Sequence, residues 1–96
     1  MTRFVLSPRA QADIDKIWDY TAERWDSEQA DRYVHSLREA VETVAADPRR
    51  GRSLEGVRKG YFKFAAASHF LVYRVASSHV EIVRVLHQRM DLARHL

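Results

Sequence analysis

The eight residues VEIVRVLH, Val80–His87, restrict the possible folds of this chain more than any other segment. Five of them are Val, Ile or Leu, and these occupy both alternating sets of strand positions. A strand that is apolar on both faces belongs in the middle of a sheet. Arg84 interrupts this strand, so it is either a satisfied structural residue or part of a surface that meets a partner.

Two amphipathic helices are predicted before the strands. Ser7 and Pro8 form a helix start, because serine accepts hydrogen bonds from the first turn and proline suits the first helical position. The pair DS at residues 26–27 separates the two helices, and DP at 47–48 ends the second. Their short connection makes them an antiparallel hairpin. The apolar stripes consist of Ala10, Ile14, Ile17, Trp18, Thr21 and Trp25 in the first helix and Ala30, Tyr33, Val34, Leu37, Val41, Val44 and Ala45 in the second.

Strands are predicted on both sides of the helical hairpin. Residues 3–6 form a short first strand, and residues 49–60 form a basic loop that holds all three glycines. Three strands follow at residues 61–65, 69–75 and 80–87, and their short connections make them antiparallel neighbours. The sequence therefore predicts one α+β domain over residues 1–96. It has an N-terminal strand, an α-helical hairpin and a three-stranded antiparallel meander, with the helices packed on one face of the sheet.

The four-residue turn at 76–79 predicts the register of the last hairpin, with Val75 opposite Val80. Arg74 then faces Glu81 as an ion pair, and Arg84 faces Leu71 without a charged partner in its own hairpin. An unpaired buried cation is costly, so Arg84 must reach a carboxylate, main-chain carbonyls or the rim of the sheet. The two faces are predicted to carry Arg74, Glu81 and His87 on one side and Leu71, Tyr73 and Arg84 on the other.

Charge is unevenly distributed along the chain, although the net charge is only +3. Residues 1–47 carry ten acidic and six basic side chains, whereas residues 48–96 carry three acidic and ten basic ones. Thirteen of the sixteen cations are arginine, whose planar fork pairs with carboxylate and phosphate groups. The second half of the chain is therefore suited to an acidic protein or to a nucleic acid.

Composition excludes several classes of protein. Cysteine is absent, so the chain has neither a disulfide framework nor a thiolate nucleophile. No apolar run approaches the ~20 residues of a membrane span or the core of a signal peptide. The sequence contains no P-loop, GxGxxG or HExxH motif, and its five histidines lack metal-ligand spacing. We expect a cytoplasmic protein without membrane contact, metal or cofactor.

Metal-free RNA cleavage is the one chemistry that the basic residues could support. It requires cations beside the phosphate in the transition state and a group that transfers protons. Lys63, Arg74, Arg84 and His87 provide those residue types. The predicted register divides them between the two faces of the sheet, so we predict no catalytic residues.

Protein binding fits the composition better than catalysis or direct DNA binding. Both helices are acidic on their outer sides, so neither resembles a DNA-recognition helix. Trp18 and Tyr20 lie on the first helix, and Tyr20 falls outside the apolar stripe. Aromatic residues combined with arginine are typical of interface hot spots. An edge strand or the outer groove of the hairpin could receive a peptide partner.

The sequence resembles ParE-type toxins of the RelE/ParE superfamily. The resemblance runs from residue 3 to residue 96 and rests on LSPRAQADIDKIWDYTAERW, ADPRRGR, HFLVYRV and above all VEIVRVLHQRMDLARHL. It implies the same α+β fold, a type II toxin–antitoxin module, and neutralisation by a ParD-like antitoxin with an acidic C-terminal tail. It also implies DNA gyrase as the target and contact with DNA only through the antitoxin. The implied antitoxin-binding residues are Arg58, Arg84, Arg89, Arg94, Trp18 and Tyr20.

RelE relatives share this fold but cleave ribosome-bound mRNA, so the fold alone does not separate the two branches. In RelE-like ribonucleases an arginine stands where this sequence has Phe70, and a tyrosine is frequent near the C-terminus, where residues 88–96 contain none. Lys63 does match one of their lysines. These differences favour the non-enzymatic ParE branch. A ribosome-dependent endoribonuclease is the alternative, and an inactive toxin that serves as an antitoxin ligand is a third.

Overall fold

The computed structural model describes residues 3–96; Met1 and Thr2, which the predicted domain includes, lie outside the described residues. Within that range the chain forms helices and one five-stranded sheet, which confirms the predicted α+β class. In chain order the elements are β1 (Phe4–Leu6), α1 (Pro8–Arg24), α2 (Ser27–Ala46), a 3₁₀ turn (Pro48–Arg50), β2 (Arg52–Ser53), β3 (Tyr61–Ala66), β4 (His69–Val75), β5 (Val80–His87) and α3 (Leu92–His95).

The helical hairpin begins and ends where capping residues predicted it. The Ser7 hydroxyl accepts a hydrogen bond from the Ala10 amide at 3.0 Å, and the Asp26 carboxylate accepts one from the Gln29 amide at 2.7 Å. The stripe prediction was wrong for Trp25. The first helix ends at Arg24, so Trp25 is its C-cap and leaves 70% of its surface exposed.

The sheet has the strand order β1-β5-β4-β3-β2. The predicted antiparallel meander of β3, β4 and β5 is confirmed. The sheet as a whole is mixed, because β1 runs parallel to β5. The intervening helices give the chain the long crossover that a parallel pair requires. The region predicted as a loop also contains the 3₁₀ turn and β2, a two-residue edge strand beside β3.

A β-bulge at Val83 divides the last hairpin into two registers. The predicted pairing holds from Val75↔Val80 to Tyr73↔Ile82, and it includes the Arg74–Glu81 ion pair. Beyond that point the prediction was wrong, because Val72 pairs with Arg84. One extra residue on β5 reverses which face each later side chain occupies. The Val83 carbonyl accepts a hydrogen bond from the Ser7 hydroxyl at 2.7 Å, so α1 is attached at the bulge.

Apolar residues cover both faces of β5, as its sequence predicted. On the helix side, Ile82 and Val85 join the main core between the sheet and the hairpin. On the far side, Leu86 packs with Val72 and Leu54 under the C-terminal residues Leu92 and Leu96. The sheet is therefore covered by the hairpin on one face and in part by the chain end on the other.

Gly51, next to β2, lies against the side chain of Tyr73 and the backbone of Lys63. The buried Tyr73 hydroxyl donates to the Pro48 carbonyl at 2.7 Å, which attaches the 3₁₀ turn to β4. A Cβ atom at position 51 would overlap that hydroxyl and the Lys63 carbonyl. A residue without a side chain is therefore required here.

Candidate functional site

A groove of about 450 Å³ opens where the end of α1, the start of α2 and the ends of β4 and β5 meet. Tyr20 and Trp25, which are 62% and 70% exposed, form its apolar wall. Its lining residues are Lys16, Ile17, Tyr20, Thr21, Trp25, Gln29, Tyr33, Ser68, His69 and His87.

A second concavity continues the groove toward the C-terminal segment. It is lined by Ala67, Ser68, His87, Gln88 and Arg89, and we call it the basic extension. Ser68 and His87 belong to both cavities, so the two are contiguous. Together they lead from exposed aromatic rings to a guanidinium group, a combination that suits a peptide with apolar and acidic side chains.

A cluster of Tyr33, His69 and His87 forms the floor of the groove. The Tyr33 hydroxyl and His69 Nδ1 are 2.7 Å apart, and the Ser68 amide donates to the same hydroxyl at 3.0 Å. The two imidazole rings meet edge to face with centroids 5.2 Å apart. His87 Nδ1 accepts a hydrogen bond from the Arg89 amide at 3.1 Å. The cluster therefore connects α2, the β3–β4 turn and the residues after β5.

Burial lowers the pKa of His69 below its usual value, and the charge of His87 lowers it further, while Asp13 opposes the shift. His69 consequently becomes protonated at a lower pH than a solvent-exposed histidine does.

Arg84 is a satisfied structural residue in this structure. Its guanidinium donates to both carboxylate oxygens of Asp13, at 2.8 and 3.0 Å, and the two side chains are 13% and 14% exposed. These hydrogen bonds raise the pKa of Arg84 above its usual value. Asp13 also accepts from the Val85 amide at 2.9 Å, on the edge of β5 beyond the end of β1. An antitoxin-binding role for Arg84 stays a prediction, and it would have to compete with this pair.

The other predicted binding residues occupy three separate places. Tyr20 lines the groove and Arg89 lines the basic extension, so the structure brings these two together. Trp18 lies between the helices, where its indole donates to Asp31 at 2.9 Å. Arg58 covers the Tyr61 ring and donates to the Leu96 carbonyl at 2.8 Å, and Arg94 is exposed near Asp91.

The four residues considered for RNA cleavage do not all lie on one face of the sheet. The register places Lys63, Arg74 and Arg84 on the sheet face away from the helical hairpin. His87 was predicted on the face of Arg74, which was wrong, because the bulge moves it to the helix side beside His69. The prediction that Arg84 shares a face with Tyr73 was wrong for the same reason. Arg74 and Arg84 are already paired with carboxylates, whereas the Lys63 ammonium lies 4.5 Å from the Phe70 ring centroid.

Sequence reasoning missed Lys16, Trp25, Tyr33 and His69 as groove residues. Tyr33 and Trp25 were assigned to the core stripes, and His69 was regarded as isolated. The signal for His69 and His87 was their position at the outer ends of two hairpin-paired strands, which the assumed regular register concealed. Among residues 3–96, no group of three His, Cys, Asp or Glu side chains could hold a metal ion. No helix in the same range has the length and apolar character needed to span a bilayer.

Solved structures with the same fold belong to toxin–antitoxin complexes. A chain of the chromosomal ParDE toxin–antitoxin system of P. aeruginosa aligns with a TM-score of 0.80 at 20% identity, covering 91% of this chain and 96% of that one. A chain of the RelBE2 complex of Mycobacterium tuberculosis aligns with a TM-score of 0.65 at 24% identity, covering 91% and 98%. The fold is therefore that of a class of proteins found in these complexes.

Sequence comparison narrows the class to one family. The profile described as "ParE toxin of type II toxin-antitoxin system, parDE" matches residues 4–92. Toxin ParE1 of Mycobacterium tuberculosis is 48% identical over 96 residues, covering 99% of this chain and 98% of that protein. Toxin ParE1 of Caulobacter vibrioides is 45% identical over 96 residues, covering 100% and 99%. The chain belongs to the ParE toxin family of type II toxin–antitoxin systems.

Proposed function

We propose that this toxin is neutralised by a ParD-like antitoxin whose acidic C-terminal segment occupies the groove and the basic extension. The observation that carries the proposal is the continuity between the exposed Tyr20 and Trp25 rings and Arg89, through Ser68 and His87. The aromatic wall would anchor apolar side chains of the segment. Arg89 and the excess of cations in residues 48–96 would attract its carboxylates.

Isothermal titration calorimetry with the antitoxin that the neighbouring gene encodes tests this binding surface. Tyr20→Ala removes an exposed aromatic ring from the groove wall, and we expect a Kd at least about 5-fold larger, since hot-spot aromatics cost more than about 1 kcal/mol when truncated. Val57→Ala is the matched control, because Val57 is also exposed at 44% but lines neither cavity. Equal losses of affinity in the two variants would contradict the groove as the binding surface.

We further propose that the free toxin acts in the cytoplasm by binding DNA gyrase, without catalysis of its own. Family membership supports the target. The pairing of Arg74 and Arg84 with carboxylates supports a non-enzymatic action, because neither cation is free to stabilise a transition state. The free Lys63 ammonium and the likeness to the RelBE2 chain are the observations that favour a ribosome-dependent ribonuclease instead.

Two assays on the purified chain separate these functions. Supercoiling by purified gyrase should stop when the toxin is added and resume when antitoxin is added. Primer extension on translated mRNA should show no toxin-dependent cleavage. Cleavage that is lost in Lys63→Ala would establish the ribonuclease alternative, and the absence of both effects together with normal cell growth would indicate an inactive toxin.

A further inference from the structure

We infer that His69 and His87 form a binding site for one carboxylate, and that its ligand is an Asp or Glu side chain of the antitoxin segment in the groove. The inference rests on the proposed function and specifies the chemistry at the centre of that surface. Both rings line the groove, and they meet edge to face with their centroids 5.2 Å apart. A carboxylate oxygen pair accepts two such N–H donors at once.

The tautomer of neutral His87 follows from its backbone contact. Its Nδ1 accepts the Arg89 amide hydrogen bond at 3.1 Å, so Nδ1 carries no proton while the ring is neutral. The proton of neutral His87 is therefore on Nε2. This nitrogen is a donor in the neutral ring as well as in the imidazolium.

A hydrogen bond with Tyr33 gives neutral His69 the same tautomer as His87. The Tyr33 oxygen accepts the Ser68 amide at 3.0 Å and lies 2.7 Å from His69 Nδ1, so the tyrosine hydroxyl can donate to that nitrogen. Neutral His69 then also carries its proton on Nε2. The hydrogen bonds formed within residues 3–96 engage Nδ1 of each ring and leave both Nε2–H groups as donors.

The charged surroundings favour an anion at this position. Lys16 from α1 and Arg89 from the segment after β5 line the two cavities, and Tyr33 is the titratable group that α2 contributes. None of the residues that line the groove or the basic extension is an Asp or a Glu. Asp13, whose charge acts on His69, is held by Arg84 and the Val85 amide. The two donors thus lack an acidic partner from the described part of the chain.

Substitutions that imitate one imidazole nitrogen at a time test the site. In His87→Asn the amide oxygen stands near Nδ1 and keeps the Arg89 contact, but the Nε2 donor is lost. In His87→Gln the amide nitrogen stands near Nε2 and keeps a donor. We expect His87→Asn to raise the Kd for the cognate antitoxin about 10-fold to 100-fold, the cost of a hydrogen bond to a charged group, and His87→Gln to raise it less. His69→Asn should behave like His87→Asn, and thermal unfolding verifies that each variant folds.

Proton uptake gives a second readout that a purely structural role would not produce. A bound carboxylate raises the pKa of the His69 imidazole that burial lowers, so binding should take up protons and affinity should rise as the pH falls toward 6.5. Calorimetry in buffers of different ionisation enthalpy measures the uptake, which should shrink in the His69→Asn/His87→Asn double variant. Tight binding by that variant with unchanged proton uptake would overturn the inference and leave the proposed function intact.

Sodium acetate tests the same site without the antitoxin. In the full chain, acetate should shift the imidazole NMR signals of His69 and His87 more than those of the exposed His35, with sodium chloride at equal ionic strength as the reference. Equal shifts at all three residues would overturn the inference. If the wild-type chain fails to bind the antitoxin, the proposed function fails, and the acetate titration alone decides the inference.

Discussion

At the scale of single residues, Arg84 illustrates how a cation is accommodated in an apolar strand. The bulge turns its side chain toward the far face of the sheet, and Asp13 from α1 meets it at the uncovered edge of β5. The Asp13 carboxylate accepts hydrogen bonds from two groups, the Arg84 guanidinium and the Val85 amide. Removing one partner of such a buried ion pair costs much more stability than replacing both partners by well-packed apolar residues.

Asp13→Ala should lower the free energy of unfolding by about 3 kcal/mol, because it leaves a mostly buried guanidinium and a strand amide without acceptors. Asp13→Asn should cost less, since its amide oxygen can still accept from Val85. Urea denaturation at pH 7 measures both values. A loss below about 0.5 kcal/mol in Asp13→Ala would show that the pair contributes little to stability.

His69 should make stability fall at acidic pH. Its pKa in the folded chain lies below the usual 6.5, so between these two values the unfolded chain binds more protons than the folded one. The contribution of His69 is complete above pH 6.5 and is lost as the pH decreases through the folded-state pKa. Denaturation midpoints from pH 7.5 to 5 should decrease more steeply for the wild type than for His69→Asn. Parallel curves would contradict this assignment.

At the scale of elements, one serine joins the start of α1 to the bulge of β5. Ser7→Ala removes both the N-cap acceptor for Ala10 and the donor to Val83, so we expect a loss of about 1–2 kcal/mol in unfolding free energy. Ser7→Thr retains both groups and is the matched control. Thermal unfolding of the two variants is the measurement. If Ser7→Ala leaves the free energy of unfolding unchanged, solvent replaces both contacts.

The elements themselves could be predicted from the sequence, and their fine register could not. Ser7, Asp26 and the DP pair at 47–48 act locally, so the helix boundaries followed from capping chemistry. The bulge residue Val83 accepts a hydrogen bond from the distant Ser7, and strand alternation encodes neither the bulge nor this contact. This single extra residue explains why Arg84 and His87 were assigned to the wrong faces.

At the scale of the whole molecule, two residues of the candidate site could be predicted from the sequence, but the way the site comes together could not. Tyr20 and Arg89 were identified one by one, as an aromatic outside the stripe and as a basic tail residue. The floor of the groove combines Tyr33, His69 and His87 from three elements. Their convergence follows from the packing of α2 on the sheet, which periodicity within each element does not specify.

The charge asymmetry of the molecule should control how fast the antitoxin binds. Arg89→Ala/Arg94→Ala should weaken binding about 10-fold, mainly through a slower association, because exposed charges act on encounter more than on the final contacts. The double variant should also lose affinity less steeply than the wild type as salt increases. Stopped-flow association at low and high salt measures both effects, with Arg9→Ala as a control outside the groove. If the association rate depends on salt identically in the wild type, the double variant and Arg9→Ala, these two arginines do not control binding through their charge.

The parallel pairing of β1 with β5 has a consequence for synthesis of the protein. Phe4–Leu6 is translated before its partner Val80–Ile82, and α1, α2 and strands β2 to β4 lie between them in the sequence. Contacts of such high sequence separation form late, because the intervening chain must be ordered before they close. A nascent chain that stops before residue 80 therefore contains the helical hairpin and β1 to β4, but it lacks β5, the strand that lies between β1 and β4 in the sheet. The five-stranded sheet can therefore close only after residue 82 has been translated, and a chain that stops earlier leaves β1 without its neighbour in the sheet.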